Sequence, residues 1–109
     1  MSAPDDTLLV YCTCPDAPTA SRLAAELVER QLAACVSQLS GLVSTYRWEN
    51  QMKRDEETLL IIKTTSGAYS SLESTLRRLH PYELPEIVAV TVSAGLPGYL
   101  AWVAENVAK

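Results

Sequence analysis

Apolar and polar positions along this chain change period several times, and each change marks an element. Thr7 to Thr13 (TLLVYCT) is β-branched and apolar on both alternating faces, the pattern of a central, buried strand. Pro15 ends it, and Asp16 or Thr19 is placed to cap a helix. Ala20, Leu23, Ala24, Leu27 and Val28 then recur at helical spacing, with Arg22, Glu26, Glu29 and Arg30 opposite, which predicts a helix to about Gln31. Cys35 to Trp48 reads as one long extended stretch broken at Gly41, where a bulge or bend is expected. Glu49-Asn50-Gln51 is the natural turn, with Asn50 the residue best able to take positive φ. A second arm returns through Glu57 to Thr65. Ser66 is the expected cap of a second helix whose Tyr69, Leu72, Leu76 and Leu79 form an apolar seam, and His80-Pro81 stops it. Glu86 to Ser93 is predicted as a fourth strand and Tyr99 to Val107 as a short final helix.

The order β-α-β-β-α-β-α makes the fold class α/β (α+β), and its first six elements match the ferredoxin-like βαββαβ pattern, with a C-terminal helix and an extended β2–β3 hairpin added. Right-handed crossovers place both connecting helices on one face of a four-stranded sheet. Residues 1–109 are expected to form a single domain, with 1–6 a disordered tail; that acidic stretch lacks the basic flank and apolar core of a signal peptide.

Two patterns imply association. A hairpin arm of about 14 residues at roughly 3.3 Å each is near 45 Å long, whereas a domain of this size is roughly 34 Å across. One end must project, carrying Val43, Tyr46, Trp48 and Met52 on an unprotected edge. The sheet is also apolar on both faces at Leu8–Tyr11, Leu59–Ile62 and Ile87–Val90, although helices can cover only one. A cyclic oligomer would bury both features.

Composition adds mainly exclusions. A hydrophobic fraction of 48% with 20% charge excludes a disordered chain. The net charge of −4 and the isolated Arg77-Arg78 pair give no basic stripe, so no nucleic-acid partner is expected. The longest apolar runs are too short to span a bilayer, so no membrane partner is expected either, and a cytoplasmic location is the default. The odd count of 3 cysteines argues against a disulfide framework.

Cys12 and Cys14 share one face of the first strand, where they either fill the core or chelate a soft metal. His80, the single histidine, sits at a helix end, where a ring either hydrogen-bonds backbone carbonyls or binds a metal. Copper accepts a thiolate with an imidazole, so Cys12 with His80 is the candidate metal pair. Lys63 ends an apolar strand and is expected to pair with Glu57, Glu83 or Glu86 at a subunit boundary. Lys63, His80, Tyr82 and Glu83 either line an anion or small-molecule pocket between subunits or form a buried polar network that fixes their geometry. Trp48 and Trp102 are candidate pocket walls or interface anchors. No phosphate loop, nucleophile elbow or Ser-His-Asp spacing is present, so no enzyme is expected.

Several strings carry a resemblance: Leu32-Ala33-Ala34-Cys35-Val36, Ser44-Thr45-Tyr46-Arg47-Trp48, Ile62-Lys63-Thr64, His80-Pro81-Tyr82-Glu83-Leu84-Pro85-Glu86-Ile87 and Gly98-Tyr99-Leu100-Ala101-Trp102. Over about residues 7 to 107 the chain resembles the CutA family, with Asn50 where that family usually has glycine at the hairpin tip. The resemblance implies a cytoplasmic homotrimer of ferredoxin-like subunits, shaped much like the PII signalling proteins. It also implies a link to divalent-cation tolerance, with copper or another divalent metal ion as ligand at the strand-one cysteine, Cys12, and no obligatory cofactor. The alternative it leaves open is a PII-like signalling module taking a small metabolite or protein in clefts between subunits.

Overall fold

In a computed structural model, described for residues 3–109, one antiparallel sheet of four strands carries two helices on a single face. The elements are β1 (Thr7–Cys14), α1 (Ala17–Glu29), β2 (Cys35–Trp48), β3 (Gln51–Thr65), α2 (Tyr69–Leu79), β4 (Ile87–Thr91) and α3 (Pro97–Glu105), with a single 3-10 turn (Ser66–Ala68) before α2. Strand order is β2-β3-β1-β4. β1 and β3 are the two central strands: β1 pairs with β3 along Thr7↔Thr65 to Cys14↔Thr58 and with β4 along Leu8↔Thr91 to Cys12↔Ile87. This is the expected ferredoxin-like α+β arrangement.

Alternation along the strands sorts the residues. Leu8, Val10, Cys12 and Cys14 of β1 and Leu60 and Ile62 of β3 pack beneath Ala20, Leu23 and Leu27 of α1 and Leu72 and Leu76 of α2, forming the main core. The intervening positions share the other face: Tyr11 lies opposite Ile61 and Val88, Leu9 opposite Val90, and Leu59 opposite Thr13 and Leu39. Of these, Thr13 is buried, Leu9, Tyr11, Leu59 and Ile61 are half-buried, and Leu39, Val88 and Val90 are exposed. α3 packs against β3 and β1, closing a small second cluster of Val103, Val107 and Ala68.

Local chemistry explains most boundaries. Asp16 caps α1, its carboxylate accepting the Thr19 N–H at 2.8 Å. At the other end Gln31 takes φ 58°, so the Leu32 and Ala33 amides turn back onto the Leu27 carbonyl. His80 leaves the helical region because Pro81 succeeds it.

Ser66 does not cap α2 as expected. Its backbone N–H and its hydroxyl both turn to the Asp6 carbonyl, and α2 begins from the 3-10 turn without a side-chain cap. That contact, with Gly67 N–H to the Pro4 carbonyl at 2.9 Å, ties residues 3–6 onto the domain as a turn, where a loose tail was expected; residues 1–2 of that tail lie outside the described residues. β4 is shorter than predicted because β1, its only neighbour, starts at Thr7; Glu86 falls in the preceding loop.

The hairpin has the length that the sequence pattern predicts, with β2 ending at Trp48. β3 runs unbroken from Gln51, so both arms persist to the turn. The ladder shifts between Leu39 and Leu42, where Gly41 takes φ 89°: one extra residue on β2 forms a bulge, in a conformation that disfavours any residue with a Cβ. At the tip Glu49 and Asn50 have φ 50° and 64°, the pair of left-handed residues of a type I′ turn. The molecule is 43 Å along its longest axis and 26 Å and 23 Å across the others. That length agrees with the hairpin reach estimated from strand rise.

Candidate functional site

Two groups of side chains meet where β1 ends, the hairpin leaves the body and the loop after α2 crosses over. The first is a buried cluster of Cys12, Cys14 and His80, whose sulfur and ring-nitrogen atoms all lie within 4.8 Å of one another. The two cysteines come together because residues i and i+2 of a strand share a face. His80 joins them because α2 ends there and its ring reaches over β1.

Hydrogen bonding fixes the ring. The Tyr82 amide donates to Nδ1 at 3.1 Å, so Nε2 carries the proton and donates to the Thr13 carbonyl at 2.8 Å. Burial pulls the basicity of His80 down, but the Cys14 sulfur and the Thr13 carbonyl outweigh it and the net shift is upward. Between the thiols the first proton leaves from Cys14. The Cys12 S–H stabilises its thiolate, with His80 adding to this against the opposing effect of burial. Cys12 is pushed far up, by that bond to Cys14 and then by burial. Its own S–H also lies 3.9 Å from the Thr13 carbonyl.

Two sulfurs and an imidazole form a soft donor set of the kind that suits copper or zinc. Three donors on one ion at roughly 2.0–2.3 Å stand about 3.3–4.0 Å apart in tetrahedral or trigonal geometry, so the widest pair of the cluster must close by about 1 Å. Ligation through His80 requires one ring nitrogen to release its present partner. The residues therefore fit a soft metal ion, with the cysteines as its more readily available ligands. Cys14 was absent from the Cys12–His80 pair; the signal for it was the i, i+2 spacing itself.

The second group lines an open cleft of about 380 Å³ between residues 44–48 of the hairpin and the loop 81–86, with walls from Tyr46, Trp48, Tyr82, Glu57, Glu83 and Glu86 among others. Tyr82 packs on His80 with ring centroids 4.8 Å apart, and its hydroxyl donates to Glu57 Oε2 at 2.7 Å. Burial and the Glu57 carboxylate both raise the Tyr82 phenol well above its ordinary value. Tyr46 makes the same kind of bond to Asp55. Thr13 borders both groups, its carbonyl holding His80 while the residue lines the cleft.

Of the expected pocket residues, Trp48, Tyr82 and Glu83 meet here, and Lys63 does not. The register sets Lys63 opposite Cys35, and its ammonium donates to Ser37 Oγ at 2.5 Å and lies 3.9 Å from Cys35 Sγ. Glu57 is six residues away along β3, roughly 20 Å at strand rise. Within one chain Lys63 therefore pairs with none of the carboxylates expected for it. Within one chain the walls of the cleft are therefore acidic and aromatic.

Taken together, these features define a small ferredoxin-like α+β protein with an overlong central hairpin and a thiol–imidazole cluster at its root. The chain belongs to the CutA family: residues 8–106 match the family described as CutA1 divalent ion tolerance protein. A divalent-cation tolerance protein CutA of Thermus thermophilus is 44% identical over 98 residues, covering 90% of this chain and 95% of the relative. A CutA homolog of Xenopus laevis is 42% identical, covering 89% of this chain and 64% of the relative. Among solved structures, CutA from Xylella fastidiosa superposes with a TM-score of 0.92 at 46% identity, over 94% of this chain and 99% of that one. CutA1 from Oryza sativa gives 0.93 at 34% identity, over 95% of each chain.

Proposed function

We propose that this chain is a non-enzymatic divalent-cation tolerance protein that holds copper, or another soft divalent ion, at Cys12, Cys14 and His80. The observation that carries this reading is the convergence of two thiols and an imidazole within 4.8 Å in a chain of this family. The cysteines are all free, as a reducing cytoplasm would keep them. A bound ion would draw its affinity from the two sulfurs, with His80 completing the set.

The working form in this reading is a homotrimer. Support comes from the projecting hairpin with Val43, Trp48 and Met52 uncovered, and from the half-covered sheet face around Tyr11, Ile61 and Val88. Native mass spectrometry at micromolar concentration should give a trimer mass.

Calorimetric titration of the reduced protein with copper(I), held by a competing chelator, tests the site. Cys12→Ser and Cys14→Ser should each weaken binding by about tenfold or more, and His80→Ala should weaken it less. Unchanged affinity in both cysteine variants would remove the metal from this cluster.

A further inference from the structure

We propose that Cys12 and Cys14 form a redox gate on the metal site, closing as a reversible disulfide that leaves the cluster unable to hold a soft ion; this rests on the reading of that cluster as the site. Both thiols are free and fully buried, and their sulfurs lie within 4.8 Å of each other. Residues i and i+2 of a strand stand roughly 6.4–6.8 Å apart at Cα. That is the upper end of the span of about 4.4–6.8 Å that a disulfide bridges. The pair is close enough to join, at the limit of what the backbone permits.

The backbone has its slack at the right place. Cys14 is the last residue of β1 and precedes Pro15, which has no N–H to give to a ladder. The β4 ladder stops at Cys12↔Ile87, so Thr13 and Cys14 are held by β3 alone. Drawing Cys14 toward Cys12 disturbs only the end of that one ladder. It also moves the Thr13 carbonyl, which holds His80 Nε2 at 2.8 Å, so closure displaces the third donor while consuming the first two. The remaining cysteine does not compete. Cys35 lies beside Lys63 on the open face of the sheet, whereas Cys12 and Cys14 face the helices. Because the pair sits under α1 and α2 of its own chain, packing of copies over the open face leaves it unchanged.

The oxidant is a peroxide, which is close to water in size and reaches buried thiols through local opening at a strand end. The Cys14 thiolate attacks one peroxide oxygen, the O–O bond breaks, and the sulfur becomes a sulfenic acid as hydroxide leaves. The Cys12 sulfur then attacks that sulfur. Its proton passes to the departing hydroxyl, and water leaves as the S–S bond forms. The thiol pair loses two electrons in all, and one peroxide gains them. A bridge made at the edge of its permitted span is strained and readily reduced, so a dithiol reductant restores the site.

The test treats the reduced, metal-free protein with hydrogen peroxide, then applies denaturation, thiol alkylation, trypsin and mass spectrometry. Arg22 is the first basic residue, so peptide 1–22 carries Cys12 and Cys14 while another peptide carries Cys35. The expected product is peptide 1–22 unalkylated and lighter by two hydrogen atoms, not linked to Cys35, and restored by dithiothreitol. Once the peroxide is removed, the oxidised protein should bind copper(I) at least about 100-fold more weakly than the reduced one, the product of two lost thiolates. Cys35→Ser should change neither result, and Cys14→Ser should give no bridged peptide. A peptide 1–22 that keeps both thiols or carries sulfinic acids would overturn the proposal. So would a bridged protein that binds copper(I) as tightly as the reduced one. Failure of the reduced protein to bind copper(I) is a different result, which removes the site itself and the gate with it.

Discussion

The two halves of β3 belong to one strand but have different environments. From Glu57 to Thr65 the strand lies in the body, with Leu60, Ile62 and Thr64 fully buried under α1 and α2. From Gln51 to Glu56 every residue is exposed, and the only neighbour is the other arm of the hairpin. Pairing with β2 runs along both, interrupted by the bulge at Gly41 near their junction. Pairing therefore sets the shape of the hairpin, while burial decides which half is stable alone. A two-stranded ribbon without a covered face is marginal in water, so the distal half draws its order from the turn, the cross-strand contacts and whatever covers it.

The sharpest way to break this comparison is to truncate one side chain in each half. Leu60→Ala or Ile62→Ala removes methyl groups from a fully enclosed site and should cost about 2–5 kcal/mol, or about 0.5–1.5 for the milder Ile62→Val. Met52→Ala, at a side chain 77% exposed, should cost no more than about 0.5 kcal/mol in the dissociated chain. Urea unfolding over a range of protomer concentrations checks both. If the hairpin packs against a second copy, the Met52→Ala cost grows with concentration while the Leu60→Ala cost does not. Equal costs at high dilution would mean that the distal half is not free-standing.

At the boundary between the halves stands the bond from Tyr82 to Glu57. Its removal in Tyr82→Phe leaves a buried carboxylate without a donor and should cost about 1–3 kcal/mol. The same pair sets an alkaline limit. Burial and then Glu57 raise the phenol pKa, so the folded state holds the proton more tightly than the unfolded one. That contribution is fully present below the ordinary tyrosine value of about 10 and is lost as pH rises beyond it. Stability of the parent should therefore fall more steeply above pH ~10 than that of Tyr82→Phe, as thermal midpoints across pH 8–12 would show. Parallel alkaline limbs would mean that Tyr82 is not the group responsible.

The same division governs what the sequence made readable. Periodicity located every helix and strand of the body, because Leu23, Leu27, Leu72 and Leu76 are spaced by the faces they bury. Gly41 and Asn50 marked the bulge and turn because few other residues accept those φ values. Polar partners were less legible. Lys63 was expected to meet a carboxylate at a subunit boundary; within one chain the register sets it beside Cys35 and Ser37. Cys14 was adjacent in spacing to Cys12, yet only the path of the chain after α2 shows that His80 reaches both. The role of Glu57 could not be read from spacing at all, since it depends on a loop crossing over from residue 82.

The smallest expected effect lies at the far end of the hairpin, where the turn rather than packing is the stabilising device. Glu49 and Asn50 both hold left-handed backbone, which costs an ordinary side chain about 1–2 kcal/mol and asparagine or glycine much less. Glu49→Asn should thus stabilise the chain by a few tenths to about 1 kcal/mol, and Asn50→Gly by less, since asparagine already tolerates the angle. A β-branched residue should do the reverse, with Asn50→Val costing about 1 kcal/mol or more. All three would appear as shifts in denaturation midpoint at constant slope. If none moves the midpoint, the tip unfolds before the body, and the boundary between the two halves of β3 is also a boundary of cooperative unfolding.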